Sequence, residues 1–112
     1  MKQAVEIAEA VRSGRITAAS VVGDCLAALE ADAGKLAAVT RILADRARQE
    51  AALVDAAIAA GRDPGPLAGV PYGVKDLFDV AGLPTTAGSS LYADAALATE
   101  DAEAIRRLRE AG

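Results

Sequence analysis

The 112-residue chain contains no histidine. That absence removes the serine–histidine–aspartate and cysteine–histidine constellations and the common histidine-based metal sites. Cysteine is nearly absent. Cys25 alone permits no internal disulfide, which fits a reducing compartment. Aromatic residues are scarce too, with two Tyr, one Phe and no Trp. The 53% hydrophobic content is therefore carried largely by alanine. Burying alanine removes little apolar area from water, so the core is expected to be thin. Positive charge does not dominate either: 12 Lys and Arg against 16 Asp and Glu leave a net charge of −4. Phosphate neutralisation needs clustered cations, so nucleic-acid contact is not expected. No stretch approaches the roughly 20 apolar residues of a membrane span. The opening M-K-Q-A-V-E-I-A-E-A carries acids where a signal peptide would be apolar. Together these features point to one small cytoplasmic domain with no membrane segment.

What is present is mostly helix. Ala4, Ile7, Ala8 and Val11 recur at i, i+3, i+4, i+7 and predict a short helix ended by Ser13-Gly14. Thr17 is an N-cap for a second helix, whose apolar stripe is Val21, Val22, Cys25, Leu26 and Leu29. Cys25 on that stripe reads as a small core residue, because a reactive thiol needs an exposed electropositive site. Residues 32–34 break the pattern. Leu36 to Leu43, with Val39, Thr40 and Ile42, predict a strand. A third helix is expected over 44–60, with Ala47, Ala51, Val54 and Ile58 inward and its charged residues forming a solvated face. Thr99 can N-cap a last helix in which Glu103–Arg107 and Arg106–Glu110 pair at i, i+4 and Ala102, Ile105 and Leu108 face inward.

Between the last two helices, residues 61–66 form a loop by their glycines and prolines, and Tyr72 to Asp76 read as a short buried strand. Lys75 lies inside that apolar run, between Tyr72-Gly73-Val74 and Leu77-Phe78. Burial there would disfavour its charged form, and proteins use such lysines as general bases or Schiff-base nucleophiles. The alternative is a lysine that pairs with Asp76 or Asp79, or extends its ammonium to water. Asp76 is adjacent in an extended segment and should face the other way. The residues alone leave both readings open. A phosphate-loop reading fails: G-x-x-x-G-x-K over 69–75 has the wrong spacing, and Asp76 follows the lysine where Ser or Thr is needed.

The run P-L-A-G-V-P-Y-G-V-K-D-L-F-D-V-A-G-L-P-T-T-A-G-S (66–89), followed by D-A-E-A-I-R-R-L-R-E-A-G (101–112), resembles the N-terminal part of the amidase signature family. It is most similar to bacterial amidohydrolases of the carboxybiuret-hydrolase type, with the A subunit of the glutamyl-tRNA amidotransferase next. The resemblance implies an α/β fold: residues 1–112 as the N-terminal piece of one amidase-signature domain, helices packed on a mixed sheet. It implies hydrolysis of a C–N amide bond by acyl transfer through a Ser–cis-Ser–Lys triad. Lys75 matches the lysine of that triad, a neutral amine relaying a proton through the cis-serine. No metal or organic cofactor is implied. The implied substrate is a small amide, and a homo-oligomer or a small partner subunit stays open.

The family's two serines and its G-G-S-S-G-G-S segment have no match in these residues. Gly88-Ser89-Ser90 belongs to the element after the lysine, and its hydroxyls are expected to satisfy local backbone. The chain alone is therefore expected to be inactive as an amidase. With Val74, Leu77 and Phe78 uncovered it is expected to aggregate or stay partly molten. A reading from another class is a truncated, non-catalytic product or an interaction module.

Overall fold

The computed structural model describes residues 3–32, 35 and 37–112. Helices form where the 3.6-residue spacing puts them: α1 (Ala4–Arg12), α2 (Ala18–Ala31), α3 (Ala44–Ala59) and α4 (Glu103–Glu110), with one 3₁₀ turn at Ser90–Tyr92. The chain divides into two compact units, one reaching to Pro71 and including Ala111–Gly112, the other Tyr72–Glu110.

The first unit is built on α1, α2 and α3. Its core is Val11, Ala18, Val22, Leu26, Ala51 and Ala68, flanked by half-buried Ile7, Ile16, Val21, Ala47, Val54 and Ile58. Three of those six core residues are alanines, and Val11 is the largest side chain fully removed from solvent. The core is thin, as the composition implied. The inward faces of α1, α2 and α3 read from the sequence are the ones that form it. Cys25 is half-buried on the α2 stripe.

The start of α2 is secured twice. Thr17 Oγ1 accepts the N–H of Ser20 at 3.1 Å. The carboxylate of Asp55, on α3, accepts the N–H of Ala18 at 2.8 Å and that of Ala19 at 3.0 Å. Three of the four N–H groups that a helix start leaves without an intrahelical partner are thereby satisfied. A charged acceptor at this end also complements the helix dipole. Asp55→Ala is expected to cost about 2 kcal/mol, since it removes two charge-assisted bonds. Thr17→Ala is expected to cost about 1 kcal/mol. In the polypeptide that carries this chain, the urea midpoints of the two variants should fall in that order at unchanged slope. Equal midpoints would show that Asp55 is not acting as a remote cap.

The segment 64–69 is threaded against residues 111–112. Leu67 N–H donates to the Ala111 carbonyl at 2.8 Å, and Gly69 N–H to the Gly112 carbonyl at 2.7 Å. Val70 N–H closes a turn onto the Leu67 carbonyl at 2.9 Å. Gly69 is the third residue of that turn at φ +68, where a side chain would be strained and would also meet Ala18 and Val11.

The second unit buries little: Val80 and Ile105 are its buried apolar residues. It is held by backbone bonds between two stretches. Gly82 N–H donates to the Ala98 carbonyl at 2.8 Å, Ala98 N–H to Leu83 at 2.9 Å, and Ala102 N–H to Asp79 at 2.8 Å. Ala81 N–H donates to the Asp101 side chain at 3.0 Å.

Those bonds correct one expectation. Thr99 does not cap α4, because residues 98–102 are committed to residues 79–83. The helix begins at Glu103, with the Ala102 carbonyl accepting from Arg106 N–H at 3.0 Å. Its inward face is Ile105, while Leu108 is exposed.

The two expected strands are corrected as well. Among the described residues there is no strand, so they contain no mixed sheet. In 37–43, Ala37 adopts φ +49, which breaks an extended run, and Val39 and Ile42 are exposed. Leu36 lies outside the described residues. Residues 72–74 join no sheet, and the backbone turns immediately after Lys75. β-branched residues mark a strand only where a second strand pairs with the first.

The ion pairs expected on α4 are formed. Glu103 meets Arg107 at 2.7 Å, and Arg106 bridges Glu103 at 2.7 Å and Glu110 at 2.5 Å. Hydrogen bonds from Arg106 and then Arg107 draw the Glu103 carboxyl down from 4.5 to about 2. The same contacts raise the Arg106 guanidinium above its ordinary value. A depressed carboxylate stabilises the folded form in full above its ordinary value and loses that contribution as pH falls through the folded one. Amide protection in α4 should therefore fall between pH 4.5 and about 2. Glu103→Gln should flatten that dependence; an unchanged profile would remove Glu103 as its source.

Candidate functional site

The candidate site is the Lys75 loop of the second unit. Residues 72–74 lie outside any helix or strand and are exposed, and the chain reverses at Lys75, whose carbonyl accepts Leu77 N–H at 2.7 Å and Phe78 N–H at 3.1 Å. The Lys75 side chain is exposed. The expected apolar enclosure is not formed by the described residues: Val74 is 37%, Leu77 61% and Phe78 45% exposed. The exposure follows from the missing sheet, since a strand interior buries a lysine only when paired strands and covering helices surround it.

After the turn, the chain is pinned to residues 85–87 in a nested pair of contacts. Outermost, Asp76 Oδ1 accepts Thr86 N–H at 3.0 Å, and its Oδ2 accepts a short bond from the Thr86 hydroxyl. The Asp76 carbonyl also accepts Ala87 N–H at 2.9 Å. Inside these, the Thr85 hydroxyl donates to Asp79 Oδ1 at 2.5 Å. The loop from Val80 to Pro84 closes between them, with Gly82 at φ +81 and Leu83 N–H on the Val80 carbonyl at 3.0 Å.

Ser89 behaves as its sequence context suggested. Its Oγ accepts Leu91 N–H at 3.3 Å at the head of the 3₁₀ turn, and its N–H donates to the Thr86 carbonyl at 2.8 Å. That hydroxyl is engaged with local backbone. Sequence reasoning missed Thr85 and Thr86, and weighed Asp76 only as a partner for the lysine. The signal was there in D-x-x-D followed by T-T, since Asp and Thr side chains readily bond nearby backbone and one another.

An exposed primary amine fixed on a pinned turn can accept or donate a proton, or attack a carbonyl, if substrate or a relay group is brought to it. Among the described residues no group of three or more His, Cys, Asp or Glu could hold a metal ion, and no helix is long and apolar enough to cross a membrane.

Comparison with known proteins bears on what that amine serves. The profile of the amidase family matches residues 20–112. The chain is 43% identical over 108 residues to the AtzE subunit of 1-carboxybiuret hydrolase from Pseudomonas sp. (strain ADP), covering 96% of this chain and 24% of that protein. It is 45% identical over 107 residues to the A subunit of the glutamyl-tRNA(Gln) amidotransferase from Bdellovibrio bacteriovorus, covering 96% of this chain and 21% of the relative. A solved structure described as an unexpected vestigial protein complex revealing the origins of an s-triazine catabolic enzyme superposes with TM-score 0.96 at 41% identity. That alignment covers 99% of this chain and 24% of the other. A bacterial aryl acylamidase of the amidase signature family gives TM-score 0.80 at 36% identity, covering 87% of this chain and 20% of its own. The chain thus spans between a fifth and a quarter of the length of these relatives, and its backbone follows that of the s-triazine-enzyme structure over 99% of its own length.

Proposed function

The chain belongs to the amidase family, and from that premise we propose that it supplies the proton-relay lysine of a C–N hydrolase. In this reading Lys75, as a neutral amine, takes a proton from a cis-configured serine, which in turn takes one from a nucleophilic serine. The serine oxygen attacks the amide carbon, and the C–N bond breaks as the amine leaves with a proton returned along the same relay. Water then releases the acid from the acyl-enzyme by the reverse sequence. Both serines would come from polypeptide beyond these 112 residues, and the surrounding chain would supply the apolar enclosure that keeps Lys75 neutral.

The observation that carries the reading is the K-D pair, Lys75 and Asp76, at the head of a fixed turn within a segment that matches the family throughout. The substrate class it favours is a small linear amide of the carboxybiuret or urea type, from the likeness to the carboxybiuret hydrolase. A second reading, transamidation on glutamyl-tRNA with partner subunits, is favoured by the comparable identity to the amidotransferase.

The test is to read the gene past Gly112 and assay its product. An in-frame continuation carrying G-G-S-S-G-G-S, with hydrolysis of biuret-type amides, is expected. A stop codon there and no amide hydrolysis would favour a non-catalytic product. The 112-residue chain alone is expected to hydrolyse no amide.

A further inference from the structure

Among the described residues, Lys75 lies in no helix or strand. The residues before it are exposed, and its side chain is exposed. What fixes its backbone lies on its C-terminal side. Two bonds close the turn onto its carbonyl, from Leu77 and Phe78 N–H. Asp76, the next residue, is held at both ends: its carboxylate takes the N–H and hydroxyl of Thr86, and its carbonyl takes the N–H of Ala87.

Ala87 adopts φ +51, a left-handed conformation that an L-residue adopts only where surrounding bonds impose it. Ala87 is held by its own N–H bond to the Asp76 carbonyl and by the turn that Ser89 N–H closes on the Thr86 carbonyl at 2.8 Å, with Gly88 beside it at φ +73. A threonine is suited to the task because one residue donates from both main chain and side chain to the two oxygens of one carboxylate. The inner contact, Thr85 to Asp79, holds the same two stretches in register three residues further along.

We propose that Asp76, clamped by Thr86, is a positioning residue for Lys75, setting the direction in which the amine leaves the turn. The inference rests on Lys75 being the proton-relay lysine. It assigns the carboxylate beside the lysine a role other than pairing with it. A proton relay tolerates little displacement, and misplacement of about 1 Å can cost on the order of 10²-fold in rate.

The test uses the polypeptide that carries this chain and the variants Thr86→Val, Thr86→Ser, Asp76→Ala and Lys75→Ala. Thr86→Val removes only the hydroxyl bond and is the variant least able to disturb folding. It should lower kcat by about tenfold or more with KM within about twofold, the pattern of a defect confined to the transition state. Thr86→Ser, which keeps the hydroxyl, should restore kcat. Adding Thr86→Val to Asp76→Ala should cause no further loss, because the two act as one unit.

Amide exchange supplies a readout independent of turnover. Leu77 and Phe78 N–H should lose protection in Thr86→Val and regain it in Thr86→Ser. If Lys75→Ala leaves turnover intact, the relay reading fails, and the proposed role of Asp76 in catalysis fails with it, whatever the exchange result. If Lys75→Ala abolishes turnover while Thr86→Val changes neither kcat nor the exchange of Leu77 and Phe78, the positioning role alone is overturned.

Discussion

Lys75→Ala is expected to reduce amide hydrolysis by on the order of 10²–10⁴-fold, the range that a positioned general acid–base group supplies. Within these 112 residues, where the side chain is exposed, the same change should leave the turn's backbone bonds in place. The first half rests on the proposed relay role, the second on the geometry. The side chain is exposed, and the backbone bonds that close the turn at residue 75 are made by its carbonyl, which alanine retains. Lys75→Arg separates the roles further. A guanidinium keeps the charge and solubility of lysine but does not give up its proton in proteins, so it cannot serve as a relay. Lys75→Arg should be as inactive as Lys75→Ala. If it were fully active, Lys75 would be a surface cation and not a relay.

The largest structural effect is expected at Gly65. A Cβ built there would lie 2.2 Å from the Ala111 carbonyl oxygen and 2.5 Å from its carbon, both backbone atoms. Its φ of +109 is itself a conformation that side chains rarely adopt. The oxygen it would strike is the acceptor for Leu67 N–H, so displacement breaks a bond that ties 64–69 to 111–112. Summing a strained backbone of about 1–3 kcal/mol with a lost bond of about 1 kcal/mol predicts a loss of about 2–4 kcal/mol. For a unit with so thin a core, that approaches its whole stability.

Gly61 is the control. It too has a positive φ, +71, but nothing lies within 4 Å of the place a Cβ would occupy. Gly61→Ala should therefore cost only about 1 kcal/mol. In the polypeptide that carries this chain, urea unfolding followed by helical circular dichroism should rank parent, Gly61→Ala, Gly65→Ala, and equal losses at the two glycines would mean that the close approach at residue 111 is absent in solution.

The helices were legible in the sequence because their information is local. The stripe of Val22 and Leu26, the cap at Thr17 and the pairs on α4 all depend on residues within one or two turns. What the sequence concealed depends on distant partners. Asp55 caps a helix whose first residue lies 37 positions before it, and no local pattern announces that. Thr99 has good capping chemistry, but the bonds of Ala98 and Ala102 to residues 79–83 decide the helix start. The β-branched run near Val39 and the apolar run before Lys75 have strand composition, but no sheet forms among the described residues to receive them. Lys75 stands out in the sequence by its motif, whereas the contact beside it required knowing that Thr86 folds back onto Asp76.

Whether Lys75 carries a proton during amide hydrolysis is tested most directly by chemical rescue. The Lys75→Ala variant of the polypeptide that carries this chain should recover turnover when a small alkylamine is added, because the space left by the side chain admits a free amine in its place. Rescue should rise with the concentration of the neutral amine and be absent in the parent and in Lys75→Arg. A Lys75→Ala variant that matches the parent without added amine would contradict the relay role.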